Sequence, residues 1–197
     1  MKQRPEKVSA ILLAGGRSSR MGRNKAELDW FGGTLLEHQV GRLRSLGIGD
    51  IMLSGYPKPM EGTRFVADKY PLRGPLGGIH AGLLAANEPH CLVLSVDTPL
   101  VPSDILTELI NAHIREANNI TVISHGEYIE PLIGVYERWL GGIAEQVLQG
   151  ENSSVRTLFR RVGISRFEYS GDPALLSGCN TPEEYEGLRR IAEDIGK

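Results

Sequence analysis

Apolar residues recur along this chain in two alternating rhythms. Val8-Ser9-Ala10-Ile11-Leu12-Leu13 is a short apolar run closed by Gly15 and Gly16, which reads as a buried strand. From Thr34 onward, Leu36, Val40, Leu43 and Leu46 return at helical spacing, and Gly47 supplies a stop. Short strands are predicted at 51–54 and 64–67. Gly74-Pro75-Leu76-Gly77-Gly78 reads as a turn that opens a helix through Ala81–Ala86. Cys91–Ser95 is again a buried strand, ending at Asp97. Pro102 fits the first turn of a helix carrying Ile105, Leu106, Leu109 and Ile110. A β-branched strand follows at 120–123 and another strand at 132–136. Helices are expected near 137–149 and 153–161, and a last strand at 164–169. In Thr181-Pro182-Glu183-Glu184, Thr181 caps a helix, Pro182 takes its first position and Glu184 reaches back to the cap. The closing helix then runs through Leu188 and Ile191.

Strands alternating with helices predict a three-layer α/β/α fold around a mainly parallel sheet. In such sheets ligands bind beyond the carboxyl ends of the strands. With 197 residues, 41% hydrophobic and 23% charged, the chain can bury a full core as one domain, 1–197. The composition excludes a disordered or collagen-like chain. A net charge of −2 gives no global attraction to nucleic acid or an anionic membrane. Cys91 and Cys179 have no metal-type spacing and suit a reducing compartment. The run Val8–Ala14 is too short for a membrane span. A cytoplasmic protein that binds neither nucleic acid nor membrane is expected.

The chemistry concentrates in Leu13-Ala14-Gly15-Gly16-Arg17-Ser18-Ser19-Arg20-Met21-Gly22-Arg23-Asn24-Lys25, directly after the first strand. Glycines let backbone amides approach phosphate oxygens closely. Arg17, Arg20, Arg23 and Lys25 place four cations in nine residues with no acid among them, which matches the charge of a triphosphate. The segment lacks the spacing of a Walker loop and of a dinucleotide fingerprint. The plain alternative is a solvated basic loop.

This segment resembles the signature of the molybdenum cofactor guanylyltransferases (MobA-like), within the larger glycosyltransferase-A-like, or nucleotide-diphospho-sugar transferase, fold with its Rossmann-like sheet. Further matching segments follow in the family's order. They are Asp68 with Gly74-Pro75-Leu76-Gly77-Gly78-Ile79, then Ser95-Val96-Asp97-Thr98-Pro99, then Asn180-Thr181-Pro182-Glu183-Glu184. Two positions depart from the pattern: Ser54 and Gly178 stand where the family has Asn. Gly15 at the third place of Leu-Ala-Gly is as in the guanylyl branch, whereas the cytidylyl branch tends to carry Ala there.

The resemblance implies transfer of GMP from GTP to the phosphate of molybdopterin, with release of pyrophosphate and a requirement for Mg²⁺. By the same resemblance Leu13, Ala14, Gly15 and Gly16 contact the nucleotide through the backbone, with Ser54 and Gly78 beside it. Lys25 binds phosphates, Asp68 lies near base or ribose, Asp97 holds Mg²⁺, and Arg20 and Asn180 lie toward the pterin acceptor. Lys25, Arg20 and Asp97 form the catalytic set. Partner proteins would be other cofactor-biosynthesis proteins or chaperones of apo-molybdoenzymes. Each residue type also has an ordinary structural use: Asp97 as a helix N-cap, Asp68 and Asn180 as loop and turn residues, Gly77 and Gly78 as a tight turn. A relative using CTP or a sugar phosphate, or a non-catalytic nucleotide-binding module, would share most of these features. His38, His80, His90, His113 and His125 show no metal spacing, and Trp30 and Trp139 are expected to support packing. Glu130, before Pro131, is a candidate to face the acceptor.

Overall fold

The computed structural model describes residues 8–15 and 24–196. Its strands are β1 (Val8–Leu13), β2 (Asp29–Trp30), β3 (Gly33–Thr34), β4 (Asp50–Ser54), β5 (Arg64–Val66), β6 (His90–Ser95), β7 (Ile120–His125), β8 (Tyr128–Glu137) and β9 (Ser165–Glu168). Its helices are α1 (Leu35–Ser45), α2 (Pro75–Ala85), α3 (Ser103–Glu116), α4 (Gly141–Gln149), α5 (Val155–Val162) and α6 (Pro182–Asp194). Seven strands form one sheet in the order β5-β4-β1-β6-β8-β7-β9. All its pairings are parallel except those of β8, which runs antiparallel to both β6 and β7.

The period-2 alternation of β1 sorts its side chains onto two cores. Ala10 and Leu12 join a cluster with Leu36 and Leu43 of α1, Leu106 and Leu109 of α3, and Leu188 of α6. Ile11 and Leu13 join the opposite cluster with Ile79 and Leu83 of α2, Ala144 of α4 and Leu158 of α5. Helices therefore cover both faces, and the expected three-layer fold with a mainly parallel sheet is observed. The chain passes from β1 outward to β4 and β5, then crosses back through α2 to place β6 on the other side of β1. That reversal is a topological switch point, where a crevice opens at the carboxyl ends of the strands.

Several local expectations need correction. Gly77 and Gly78 lie inside α2 rather than in a turn before it, with Pro75 at the first helical position after Gly74. Pro102 is the residue before α3, not within its first turn. The helix expected from 137 is a 3₁₀ turn, Arg138–Leu140, followed by α4. Trp139 projects from that turn and is 55% exposed, so it does not pack as expected, whereas Trp30 is buried. The β2–β3 hairpin escaped the sequence pattern because each strand has two residues; Phe31 and Gly32 both take positive φ, as a tight hairpin turn requires. The capping box of α6 forms as predicted, and Thr34 with Glu37 makes a second one at α1. Among the described residues no helix is long and apolar enough to cross a membrane.

Candidate active site

The carboxyl edge of the sheet collects the candidate residues from segments far apart in sequence. Asn24 caps a 3₁₀ turn at Lys25–Glu27, its side-chain oxygen accepting from the Ala26 N–H at 3.1 Å, and this fixes where Lys25 starts. The Lys25 ammonium then donates to Asp97 Oδ2 at 2.5 Å and to Asn180 Oδ1 at 2.8 Å. Ser95 donates its hydroxyl to the other Asp97 oxygen at 2.5 Å, and the Cys179 N–H donates to the Asp97 carbonyl at 3.1 Å. Asp97 is not a helix N-cap, since α3 begins only at Ser103. A side chain at Gly178 would begin 3.3 Å from the Asp97 carboxyl carbon, so the glycine leaves space beside that carboxylate.

This arrangement fits a hard cation. Mg²⁺ takes oxygen ligands and usually needs one or two protein carboxylates, with water and phosphate completing its shell. Asp97 supplies a carboxylate that is fixed on one side by Ser95 and already faces a positive group, Lys25. Lys25 and Asp97 keep the same small side-chain exposure, 17% each, so both are shielded yet reachable from the crevice.

The segment carrying Asp97 is held from below by two polar residues of α1 that the sequence reading did not single out. Buried Gln39 donates from Nε2 to the carbonyls of Ser95 at 3.1 Å and Thr98 at 3.0 Å. Arg42 donates to Gln39 Oε1 at 2.7 Å, to the Pro99 carbonyl at 3.1 Å, and to the Val101 carbonyl. Burial lowers the Arg42 pKa to about 10, still charged at neutral pH. The available signal was a pair of polar residues, three apart, within the apolar stripe of α1. Such a pair inside a core-facing stripe must find partners, because buried polar groups left unpaired cost free energy.

A second cluster lies across β1. The Ala14 N–H donates to the Ser54 carbonyl at 2.9 Å and the Val96 N–H to the Leu13 carbonyl at 3.0 Å, tying the ends of β1, β4 and β6 together. Ala14 can therefore meet a nucleotide through its carbonyl, its N–H being committed. Ser54 is buried, and a Cβ at Gly78 would fall 2.5 Å from its hydroxyl and 2.9 Å from Leu13 Cδ2. A Cβ at Gly77 would fall 2.6 Å from Asp68 Oδ1. The first turn of α2 thus approaches the strand ends closely only because it carries glycine there. Asp68 accepts from the Tyr70 N–H at 2.7 Å, an Asx turn that fixes its carboxylate over α2.

Of the expected site residues, Leu13, Ala14, Gly15, Ser54, Asp68 and Gly78 gather on one side of the β1 tip, and Lys25, Asp97 and Asn180 on the other. Asn180 meets Lys25 directly. Gly16 and Arg20 lie outside the described residues, as do Arg17 and Arg23. Glu130 is half-buried near the start of β8, 3.8 Å from His125 Nε2, and burial raises its carboxyl pKa. Trp30 packs near Tyr185 and His38, as expected, while the His38 Nε2 lies 3.2 Å from the Pro99 carbonyl.

A seven-stranded, mainly parallel sheet covered by helices on both faces, with its switch point beside β1, is the nucleotide-diphospho-sugar transferase fold, and the match to an NTP transferase family model makes the chain a nucleotidyltransferase. Solved structures share the fold end to end. The molybdopterin-guanine dinucleotide biosynthesis protein A of Archaeoglobus fulgidus superposes with a TM-score of 0.78 at 19% identity, over 95% of this chain and 99% of that one. A CMP:2-keto-3-deoxy-manno-octonic acid synthetase complexed with CTP superposes at 0.78 with 14% identity, over 96% and 99%. The model of the MobA-like NTP transferase domain matches residues 10–166, and the chain belongs to that family. It is 33% identical to the molybdenum cofactor guanylyltransferase of Pseudomonas fluorescens, over 96% of this chain and 97% of the relative. It is 29% identical to that of Photobacterium profundum, over 92% and 95%.

Proposed function

We propose that this chain transfers GMP from GTP to the phosphate of molybdopterin-bound molybdenum cofactor, releasing pyrophosphate, with residues 1–197 acting as one nucleotidyltransferase domain. The observation that carries the chemistry is the Lys25 ammonium bridging Asp97 and Asn180 at the switch point. The choice of guanine and of acceptor rests on the relatives, which are named molybdenum cofactor guanylyltransferases and match along nearly their whole lengths.

An acceptor phosphate oxygen attacks the α-phosphorus in line, and the bond to the pyrophosphate leaving group breaks. Two anions must approach, so charge neutralisation is the main catalytic demand. Lys25 supplies a cation to the phosphates once nucleotide enters. Asp97 would hold Mg²⁺, which when bound neutralises phosphate oxygens. Asp68, held over α2 by its Asx turn, can accept from the N1–H and N2–H₂ edge of guanine. Asn180 accepts from Lys25 and orients it, and by the family pattern Asn180 and Arg20 would face the acceptor. No side-chain nucleophile is needed, because the acceptor provides the attacking oxygen.

The test is calorimetric titration with GTP and CTP, each with Mg²⁺, together with GMP incorporation into isolated molybdopterin cofactor. Preferential binding of GTP and incorporation of GMP are expected. Preference for CTP would replace the guanylyl reading with a cytidylyl one of the same mechanism. Binding of neither nucleotide would identify a non-catalytic member of the family.

A further inference from the structure

At the opposite, amino-terminal edge of the sheet, three ligand-type side chains converge from three elements. His90 opens β6, Glu137 closes β8 directly across from it in register, and His113 sits in the last turn of α3. Glu137 Oε1 is 2.5 Å from His90 Nδ1 and 3.0 Å from His113 Nε2. The three ligand atoms all lie within 4.8 Å of one another. The imidazole rings cross nearly at right angles, 82°, with centroids 5.6 Å apart. These residues are 23 and 24 positions apart in sequence, so no motif spacing could reveal them.

We propose that His90, His113 and Glu137 form a binding site for one divalent transition-metal ion of the zinc type, separate from the nucleotide site. A tetrahedral ion with ligands at about 2.0–2.1 Å needs ligand atoms about 3.3 Å apart, so sub-ångström to ångström adjustments of these side chains suffice. Two imidazoles and one carboxylate suit a borderline ion and disfavour Mg²⁺ or Ca²⁺, which prefer all-oxygen shells. One outer contact is placed to fix the tautomer of a ligand. His113 Nδ1 lies 3.0 Å from Thr121 Oγ1, so a ring that coordinates through Nε2 can keep its proton on Nδ1 and donate it to that hydroxyl. Asn118 donates to the same Thr121 oxygen at 3.3 Å. The backbone is fixed as well, since the Glu137 N–H donates to the Asn119 carbonyl at 3.0 Å and the Arg138 N–H to the Pro89 carbonyl at 2.7 Å. The Arg138 guanidinium is engaged by the carbonyls of Ala86 and Asn87, and no ammonium or guanidinium pairs with Glu137 among the described residues.

His113 is fully buried, whereas the side chains of His90 and Glu137 keep 20% and 17% exposure. The ion would enter from that side and hold water as its fourth ligand. On binding, each imidazole enters as the neutral ring, its proton on the remote nitrogen, and Glu137 as the carboxylate. The ion would clamp the end of α3 to the β6–β8 pair, roughly 20 Å along the strands from Asp97.

The test uses the full chain, stripped with chelator, titrated with Zn²⁺ against a chromophoric chelator and with Co²⁺ read by its visible d–d absorption. Both titrations are repeated in an Asp97→Asn chain to remove the nucleotide-site carboxylate. One equivalent of Zn²⁺ is expected in both, with four-coordinate Co²⁺ bands and a rise in Tm on adding Zn²⁺. His90→Gln and Glu137→Gln should lose the Co²⁺ bands and the Tm response. Thr121→Val should weaken Zn²⁺ about 10–100-fold, the usual range for an outer contact. Guanylyl transfer with Mg²⁺ should be unchanged in His90→Gln. Failure of the parent to take up Zn²⁺, or uptake by folded His90→Gln equal to the parent, overturns the proposal and leaves a hydrogen-bonded His–Glu–His cluster.

Discussion

Replacing Asp97 with Asn changes charge while keeping shape, and it should lower turnover far more than stability while sparing Mg²⁺-free GTP binding. In the parent, Asp97 accepts from Ser95 Oγ and from the Lys25 ammonium, each at 2.5 Å. An amide can keep the Ser95 contact through its oxygen, but then its NH₂ faces Lys25, donor against donor. Lys25 retains Asn180 at 2.8 Å and can turn toward it. The pair is neither fully exposed nor fully buried, so the stability cost lies between the two regimes, about 1–2 kcal/mol, or a Tm decrease of roughly 2–8 °C. The catalytic cost is larger. Losing the metal carboxylate should lower kcat at least about 10³-fold, near 4 kcal/mol of transition-state stabilisation.

Nucleotide binding discriminates the metal role from a structural one. Without Mg²⁺, Asp97 is a negative charge beside a triphosphate, and its removal should leave GTP binding unchanged or tighter. With Mg²⁺, the parent should gain affinity and Asp97→Asn should not. The assays are pyrophosphate release under saturating GTP and titration of GTP with and without Mg²⁺. A folded Asp97→Asn protein with kcat within tenfold of the parent, or with the parent's full Mg²⁺ enhancement of GTP binding, would refute the assignment.

Lys25→Met should weaken binding of Mg²⁺–GTP roughly 10–100-fold, the value of one charge-assisted contact, while Tm moves by only a few degrees; calorimetry and thermal melts on the same protein check this. His80 is buried against Tyr70, and neither ring nitrogen has a hydrogen-bond partner among the described residues. Burial lowers its pKa in the folded chain from the ordinary 6.5, so the unfolded chain takes up a proton first and stability falls as pH drops below about 6.5. His80→Leu should raise stability by about 1 kcal/mol at neutral pH and flatten part of that acid loss, as read by urea unfolding across pH; an unchanged slope would mean that buried His113, shifted the same way, carries it. Burial also pushes the Cys91 thiol up to about 12 and the Cys179 thiol up to about 11. Neither should react with a thiol reagent in the native chain at mildly alkaline pH, and both should react after denaturation; fast native labelling of Cys179 would report opening of the segment beside Asp97.

What the sequence exposes follows from how local each signal is. The central strands were legible because β1 and β6 are buried on both faces and read as continuous apolar runs. β8 was only partly legible, since its first half, before Ile133, is not buried and carries Pro131. Lys25, Asp97 and Asn180 are separated by 72 and 155 positions from the lysine, so their meeting is a property of the fold, anticipated only through the family pattern. Gln39 and Arg42 were illegible as site supports because their role depends on carbonyls that the β6–α3 segment turns toward them.

Gly15 shows how a correct resemblance can carry a weaker message than it first suggests. In the family comparison, glycine at this position marks the guanylyl branch. In the structure, a Cβ on Gly15 would lie 2.7 Å from the Gly55 Cα, closer than real side chains approach backbone. Gly55 itself has a φ of 81°, in the region that favours glycine, just after the Ser54 carbonyl that holds Ala14. In this chain glycine at 15 is therefore required by how β1 and β4 end against each other, so its presence here does not by itself report the base. Discrimination between guanine and cytosine must come from groups that can present a hydrogen-bonding edge. In the proposed function that role falls to Asp68, held over the first turn of α2 by its Asx turn, because a carboxylate can accept from two adjacent N–H donors, a pattern that guanine offers and cytosine does not.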